Sequence, residues 1–188
     1  MNLRTASLAC LALAACAGPP PLRLTVPPIP EATGRIGTPY ESVEVLDVTL
    51  PLYADAEEIY VQDQGRALTR VPGALWADDP SRAVTLDLVD ALRGLTGALV
   101  APDPWPFDAP AEARVDIRVS EIVADASGVF LLRGQYFVAD RVEGERDRAR
   151  EFDIRIPLPP EPGPAAIAAA RGQATQALAQ QIAGEGLR

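Results

Sequence analysis

Lysine and histidine are absent from the 188 residues, asparagine occurs once, and cysteine occurs only at Cys10 and Cys16. Without histidine, the commonest general base, the His-paired nucleophiles and every His-containing zinc site are excluded. Serine is scarce, and Ser42, Ser81, Ser120 and Ser127 have no imidazole to activate them. The phosphate-cradling Gly-x-Gly-x-x-Gly pattern, the Gly-x-Ser-x-Gly elbow and the Asp-rich calcium loop are all missing. All positive charge is arginine, 17 against 26 acids for a net −9, and no basic run occurs. That balance argues against nucleic acid, which is bound by displacing counterions with Lys and Arg. No cofactor or metal is expected. With 48% hydrophobic and 23% charged residues the composition is globular, and the length suits one core.

The chain opens with a short positive stretch, Met1-Asn2-Leu3-Arg4, followed by a small, apolar segment with Leu8, Leu11 and Leu13. Residues 5–15 number eleven, well short of the roughly twenty that cross a bilayer, so the pattern is that of a secretory signal. Leu13-Ala14-Ala15-Cys16 then resembles the lipobox of bacterial lipoproteins, in which the peptide is cut between Ala15 and Cys16 and the Cys16 thiol is diacylated. Cys10 fits less well, because Ser7-Leu8-Ala9 puts Ser where an aliphatic residue belongs. On this reading the mature chain keeps 173 residues and one cysteine, which is an anchor and neither a disulfide partner nor a catalyst. Palmitate-type acyl chains, at about 0.8 kcal/mol per buried methylene, hold such a protein to a leaflet without a spanning helix. Ala17 follows Cys16 where retained lipoproteins carry Asp, and this resemblance implies the outer membrane.

Residues 16–39 are rich in proline and read as a semi-rigid tether. Leu22, Leu24 and Val26 alternate, so a short strand there would pin the tether to the domain edge. Residues 43–50 predict a strand, 59–62 a second and 67–71 a third. Asp78-Asp79-Pro80 predicts a helix start, with Val84, Leu88, Leu92, Leu95 and Leu99 forming its apolar stripe. Three period-two strands follow around Val115, Phe130–Val138 and Phe152–Ile156, then a helix over 165–183 with Ile167, Ala170, Ala174, Leu178 and Ile182 on one face. The expected fold is a single α+β domain over 40–188. Its sheet is mainly antiparallel and is covered on one face by two helices.

Carboxylate pairs can run glycoside hydrolysis without histidine. Asp78/Asp79, Asp87/Asp90 and Glu143/Glu145 are the candidates, yet a helix cap, a solvated helix face and a self-neutralising hairpin tip account for them. No catalytic residue is assigned. The aromatics are the remaining features: Trp76 before the helix cap, and Trp105 with Phe107 in a proline-rich loop. These three are the candidate partner or lipid contacts, against core packing as the plain alternative.

Leu50-Pro51-Leu52-Tyr53, Ile59-Tyr60-Val61-Gln62 and Gly73-Ala74-Leu75-Trp76-Ala77-Asp78-Asp79-Pro80 together resemble the PqiC/YmbA-like ABC-type transport auxiliary lipoproteins. The resemblance extends over residues 43–183 in element order. Gln62 stands where the family usually has a basic residue, an extra Asp shifts the proline after Trp76, and Leu52-Tyr53 inverts the usual order. The resemblance implies a periplasmic, outer-membrane-anchored lipoprotein that assists an ABC transporter with an MCE-domain subunit in moving phospholipid between membranes. It implies docking and no turnover. Self-association is compatible with the sequence. A stand-alone lipid-binding or structural lipoprotein, or a cell-wall hydrolase, are the competing readings.

Overall fold

The computed structural model describes residues 20–28, 34–142, 144 and 146–188. Its elements are β1 (Leu22–Leu24), β2 (Ser42–Val45), β3 (Glu58–Gln62), β4 (Leu68–Trp76), α1 (Pro80–Thr96), β5 (Leu99–Pro102), β6 (Ala113–Asp125), β7 (Val129–Asp140), β8 (Arg148–Pro157) and α2 (Pro164–Gln181). A single π-helical turn, Ile182–Gly186, ends α2. Among the described residues no helix is long and apolar enough to cross a membrane.

All eight strands form one mixed sheet organised around β6. On one side β6 pairs antiparallel with β7, and β7 with β8, over nearly the full length of each strand. On the other side β6 is shared: its first residues pair in parallel with β2 and its last with β3. Beyond β2 lies β5, parallel; beyond β3 lies β4, antiparallel, and then β1, parallel. The α+β architecture therefore stands as expected, with the meander supplying most of the paired residues. The parallel pairs in the first half are an addition that alternation could not show.

Alternation decides which face of the meander is buried. Val115, Ile117, Leu132, Tyr136, Val138 and Phe152 point to the helices, whereas Arg118, Gln135 and Glu151 face solvent. A bulge between Val119 and Glu121 shifts the phase midway along β6. Facing β6, Gly134 leaves no room for a side chain: a Cβ there would meet the Arg118 carbonyl oxygen at 2.2 Å.

Helix α1 begins where Asp79 caps it, accepting from the Arg82 amide at 2.8 Å, with Pro80 as its first residue. Val84, Leu88, Leu92 and Leu95 are buried as the stripe predicted. Leu99 is not part of it. Gly97, with φ of 72°, ends the helix in a left-handed cap, and Leu99 opens β5 with its side chain half exposed. The predicted strand over 43–50 is also cut short, because α1 captures its backbone. Thr85 Oγ1 accepts from the Val48 amide at 2.9 Å, and Ser81 donates to the Val48 carbonyl. In α2, Ile167, Ala170, Ala174, Leu178 and Ile182 all reach the core, as read from their spacing.

Candidate functional site

Two places in the fold carry chemistry that the core does not need. One lies at the C-terminal end of β4. Trp76 is only 8% exposed, and its ring covers the guanidinium of Arg171, whose Cζ lies 4.5 Å from the ring centroid. Arg171 itself is 3% exposed. Its Nη2 donates to the Pro80 carbonyl at 3.1 Å, while Nε has no hydrogen-bond partner among the described residues. Burial lowers the Arg171 pKa to about 10, against the nearby carboxylates of Asp87, Asp78 and Asp79. Asp87 is pushed the other way by its own burial, which raises its pKa although Arg171 opposes the shift.

The segment preceding the domain lies over this cluster. Strand β1 pairs with Ala74, Leu75 and Trp76, and the Ala77 amide donates to the Leu24 carbonyl at 2.9 Å. Arg23 reaches both the Trp76 carbonyl and Glu57, the latter at 2.9 Å. Val26 then sits on α2 at Gly172, so tightly that a Cβ on Gly172 would lie 2.7 Å from Val26 Cγ1. The alternation of Leu22, Leu24 and Val26 thus marks a strap held on the domain. A groove of about 190 Å³ remains between Thr25, Val26, Asp87 and Arg171.

The second place is the loop from Asp103 to Glu112, joining β5 to β6. The rings of Trp105 and Phe107 meet edge to face with centroids 5.0 Å apart. Trp105 Nε1 donates to the Ala109 carbonyl at 2.7 Å. Phe107 is 46% exposed. The three aromatics singled out in the sequence do not form one site: Trp76 lies under the strap, and the other two lie at the start of β6. Ala15 and Cys16 fall outside the described residues.

Three of the paired acids have structural partners. Asp79 caps α1, Asp78 pairs with Arg82, and Asp90 pairs with Arg93 at 2.8 Å. Glu143 and Glu145 lie outside the described residues. Among the described residues no group of three or more metal-ligating side chains occurs. An apolar cavity between sheet and helices, lined by Leu50, Ile59, Trp76, Phe130 and Ile167, measures about 30 Å³. That is room for about one water and far too little for an acyl chain.

Arg171 escaped sequence reasoning, although a signal was present. It stands with Thr175 at i, i+4 on the stripe that buries Ile167, Ala174 and Leu178, where a charged side chain is out of place unless paired.

Comparison with known proteins fits this architecture. A crystal structure of an uncharacterized protein matches with a TM-score of 0.72 at 16% identity, over 89% of this chain and 99% of that one. The crystal structure of a DUF330 protein from Xanthomonas campestris matches with a TM-score of 0.63 at 21% identity, over 89% and 92% of the two chains. At these identities the likeness concerns the fold. No curated protein matches the sequence. The family model for the ABC-type transport auxiliary lipoprotein component matches residues 23–183, from the strap to the end of α2. The chain belongs to the family of ABC-type transport auxiliary lipoprotein components.

Proposed function

We propose that this protein is a periplasmic lipoprotein, acylated on Cys16 and anchored in the outer membrane, that docks an ABC transport system with an MCE-domain subunit. The transported material on this reading is phospholipid or a related lipid passing between the two membranes. Family membership across residues 23–183 carries the reading, together with Leu13-Ala14-Ala15-Cys16 at the end of a signal-like segment. The interior supports docking over carriage, because the cavity of about 30 Å³ beneath the helices holds no lipid chain. Of the acids that pair as hydrolase candidates, Asp79 caps a helix and Asp78 and Asp90 sit in ion pairs, which supports a protein that acts by position and contact.

The test is affinity recovery of the full-length protein from detergent-solubilised membranes, beside a Cys16→Ser variant. The expected result is co-recovery of an MCE-domain subunit by the native protein. The Cys16→Ser variant should fold but leave the membrane fraction. Recovery of no such subunit, or retention of the variant in the outer membrane, would overturn the corresponding half of the reading.

A further inference from the structure

The aromatic apex of the loop between β5 and β6 is used neither by the core nor by the strap, yet it is built to hold a shape. Pro102, Pro104, Pro106 and Pro110 each fix their own φ, and the bond from Trp105 Nε1 to the Ala109 carbonyl closes the turn on itself. The edge-to-face contact with Trp105 braces Phe107 from one side and leaves nearly half of it in solvent. An aromatic presented on so stiff a support has little freedom left to lose on binding, which is the property of an interface anchor.

The loop itself carries charge of one sign. No basic residue occurs between Arg93 and Arg114, while Asp103 and Asp108 are exposed on the loop. Asp103 also lines a groove of about 280 Å³ with Asp47 and Asp79, where Arg82 is the one cation and is already paired with Asp78. Among the described residues Asp47, Asp103 and Asp108 make no ion pair. An aromatic apex with unneutralised carboxylates around it is complementary to cationic side chains flanking an apolar one.

Topology says which way the apex points. Strand β3 runs parallel to β6, β4 runs back along β3, and β1 runs with β4, so β1 is antiparallel to β6. The chain therefore enters the strap from the end of the sheet where β6 finishes, whereas the aromatic loop sits where β6 starts. Glu58 lies opposite Leu75, and by the pairing of Val61 with Ala124 it is level with Glu121, while the loop departs beside Val115. At about 3.3 Å per residue, roughly 20 Å of sheet separates strap from loop.

We propose that the Trp105–Phe107 loop is the surface on which a protein partner docks. That partner presents an apolar or proline residue to Phe107 and Arg or Lys side chains to Asp103, Asp108 and Asp47. Anionic lipid headgroups would be repelled by this rim. A second copy of the loop would bring the same carboxylates. The inference rests on the proposed reading only in identifying the partner with the transporter's own subunit.

The experiment uses the full-length lipoprotein in membranes that contain its transporter. A photo-crosslinking amino acid replaces Phe107 in one version and Leu52, which is 90% exposed on a different loop, in another. Phe107→Ala and an Asp103→Asn/Asp108→Asn pair are assayed by affinity recovery of the MCE-domain subunit, with circular-dichroism melts as folding controls. Crosslinking to that subunit from position 107 and not from 52 is expected. Phe107→Ala should lower recovery about tenfold. The loss with the double Asn variant should shrink as salt rises, because the rim charges are exposed.

Undiminished recovery by both variants, beside normal recovery by the native protein, would overturn this surface and leave the transporter reading intact. Failure of the native protein to recover the subunit would overturn both. A crosslink between two copies from position 107 would overturn the assignment in favour of self-association. Quenching of Trp105 emission by vesicles of brominated phosphatidylethanolamine and phosphatidylglycerol would overturn it in favour of the bilayer, since Trp76 is too buried to contribute.

Discussion

Replacing Gly172 by alanine sets two effects of opposite sign against each other. In the interior of α2 a glycine costs about 1 kcal/mol relative to alanine, so the helix alone should gain by the change. The new Cβ, however, would stand 2.7 Å from Val26 Cγ1, where carbon atoms ordinarily keep about 3.5–4.0 Å. Val26 is β-branched, with its methyls close to the backbone, and cannot swing away without moving the strap by about 1 Å. Helix α2 is fixed to the core by Ile167, Ala174 and Leu178, so the strap is what gives. Strap attachment rests on the short β1–β4 ladder, the bond from the Ala77 amide to the Leu24 carbonyl and the Arg23–Glu57 pair. At about 1 kcal/mol net per hydrogen bond, less the cost of ordering the backbone, such an attachment opens at far lower cost than the domain. Gly172→Ala should therefore leave the urea midpoint of the domain unchanged or slightly raised. Native-state hydrogen exchange at the Ala77 amide should speed up about tenfold, corresponding to about 1.4 kcal/mol of lost strap stability. Adding Val26→Ala removes the clashing methyl, so in that background Gly172→Ala should stabilise by the helix term without further loss at Ala77. If Gly172→Ala stabilised equally in both backgrounds and left Ala77 protection untouched, Val26 would not be seated on α2 and the reasoning would fail.

Thr85→Val keeps the volume of a side chain that is almost wholly buried but leaves the Val48 amide without its acceptor; urea unfolding should show a loss of about 1–3 kcal/mol, and Thr85→Ser should recover most of it. Arg171→Leu deprives the Pro80 carbonyl of its donor and Asp87 of the cation that counters its burial, and should cost about 3 kcal/mol at neutral pH. Because the folded pKa of Asp87 is already raised, and would rise further, that deficit should narrow as the pH falls through it; a deficit that widened on acidification would contradict the assignment. Asp153 is held down to about 2 by hydrogen bonds from Arg155 and Arg133, so its contribution is present above its ordinary value of 3.8 and lost as the pH falls toward 2. Asp153→Asn should therefore lower the unfolding free energy slightly at neutral pH, by less than about 1 kcal/mol for so exposed a group, and not at all at pH values below the folded pKa.

The parts of the fold legible in the sequence are those set by neighbours along the chain. Alternation in β6, β7 and β8 and the stripes of α1 and α2 report burial of one face, and the cap at Asp79-Pro80 is a local event. Leu99 shows where this fails. Its spacing continues the stripe of α1, but the left-handed turn at Gly97 redirects the chain, and β5 becomes a strand only because β2 lies beside it. Parallel pairing of β2 and β3 with β6 joins residues far apart in sequence and leaves no periodic trace. Among the candidate contacts, the proline-rich setting of Trp105 and Phe107 was visible, but their distance from Trp76 required the register of four strands. The role of Arg171 was masked by its alanine-rich neighbours, which read as a plain apolar helix.

The orientation of the strap also bears on mechanical load. Strand β1 runs along β4 in register, so a pull on the chain before Pro20, directed away from the aromatic loop, acts along the strand axis. Under such a pull the β1–β4 bonds and the Arg23 contacts are strained together in shear, instead of being peeled one after another from an end. A protein stretched between a membrane anchor at one end of the sheet and a partner at the other would thus bear tension along its stiffest direction. The strap would be the first element to yield, and the core behind β4 would remain intact.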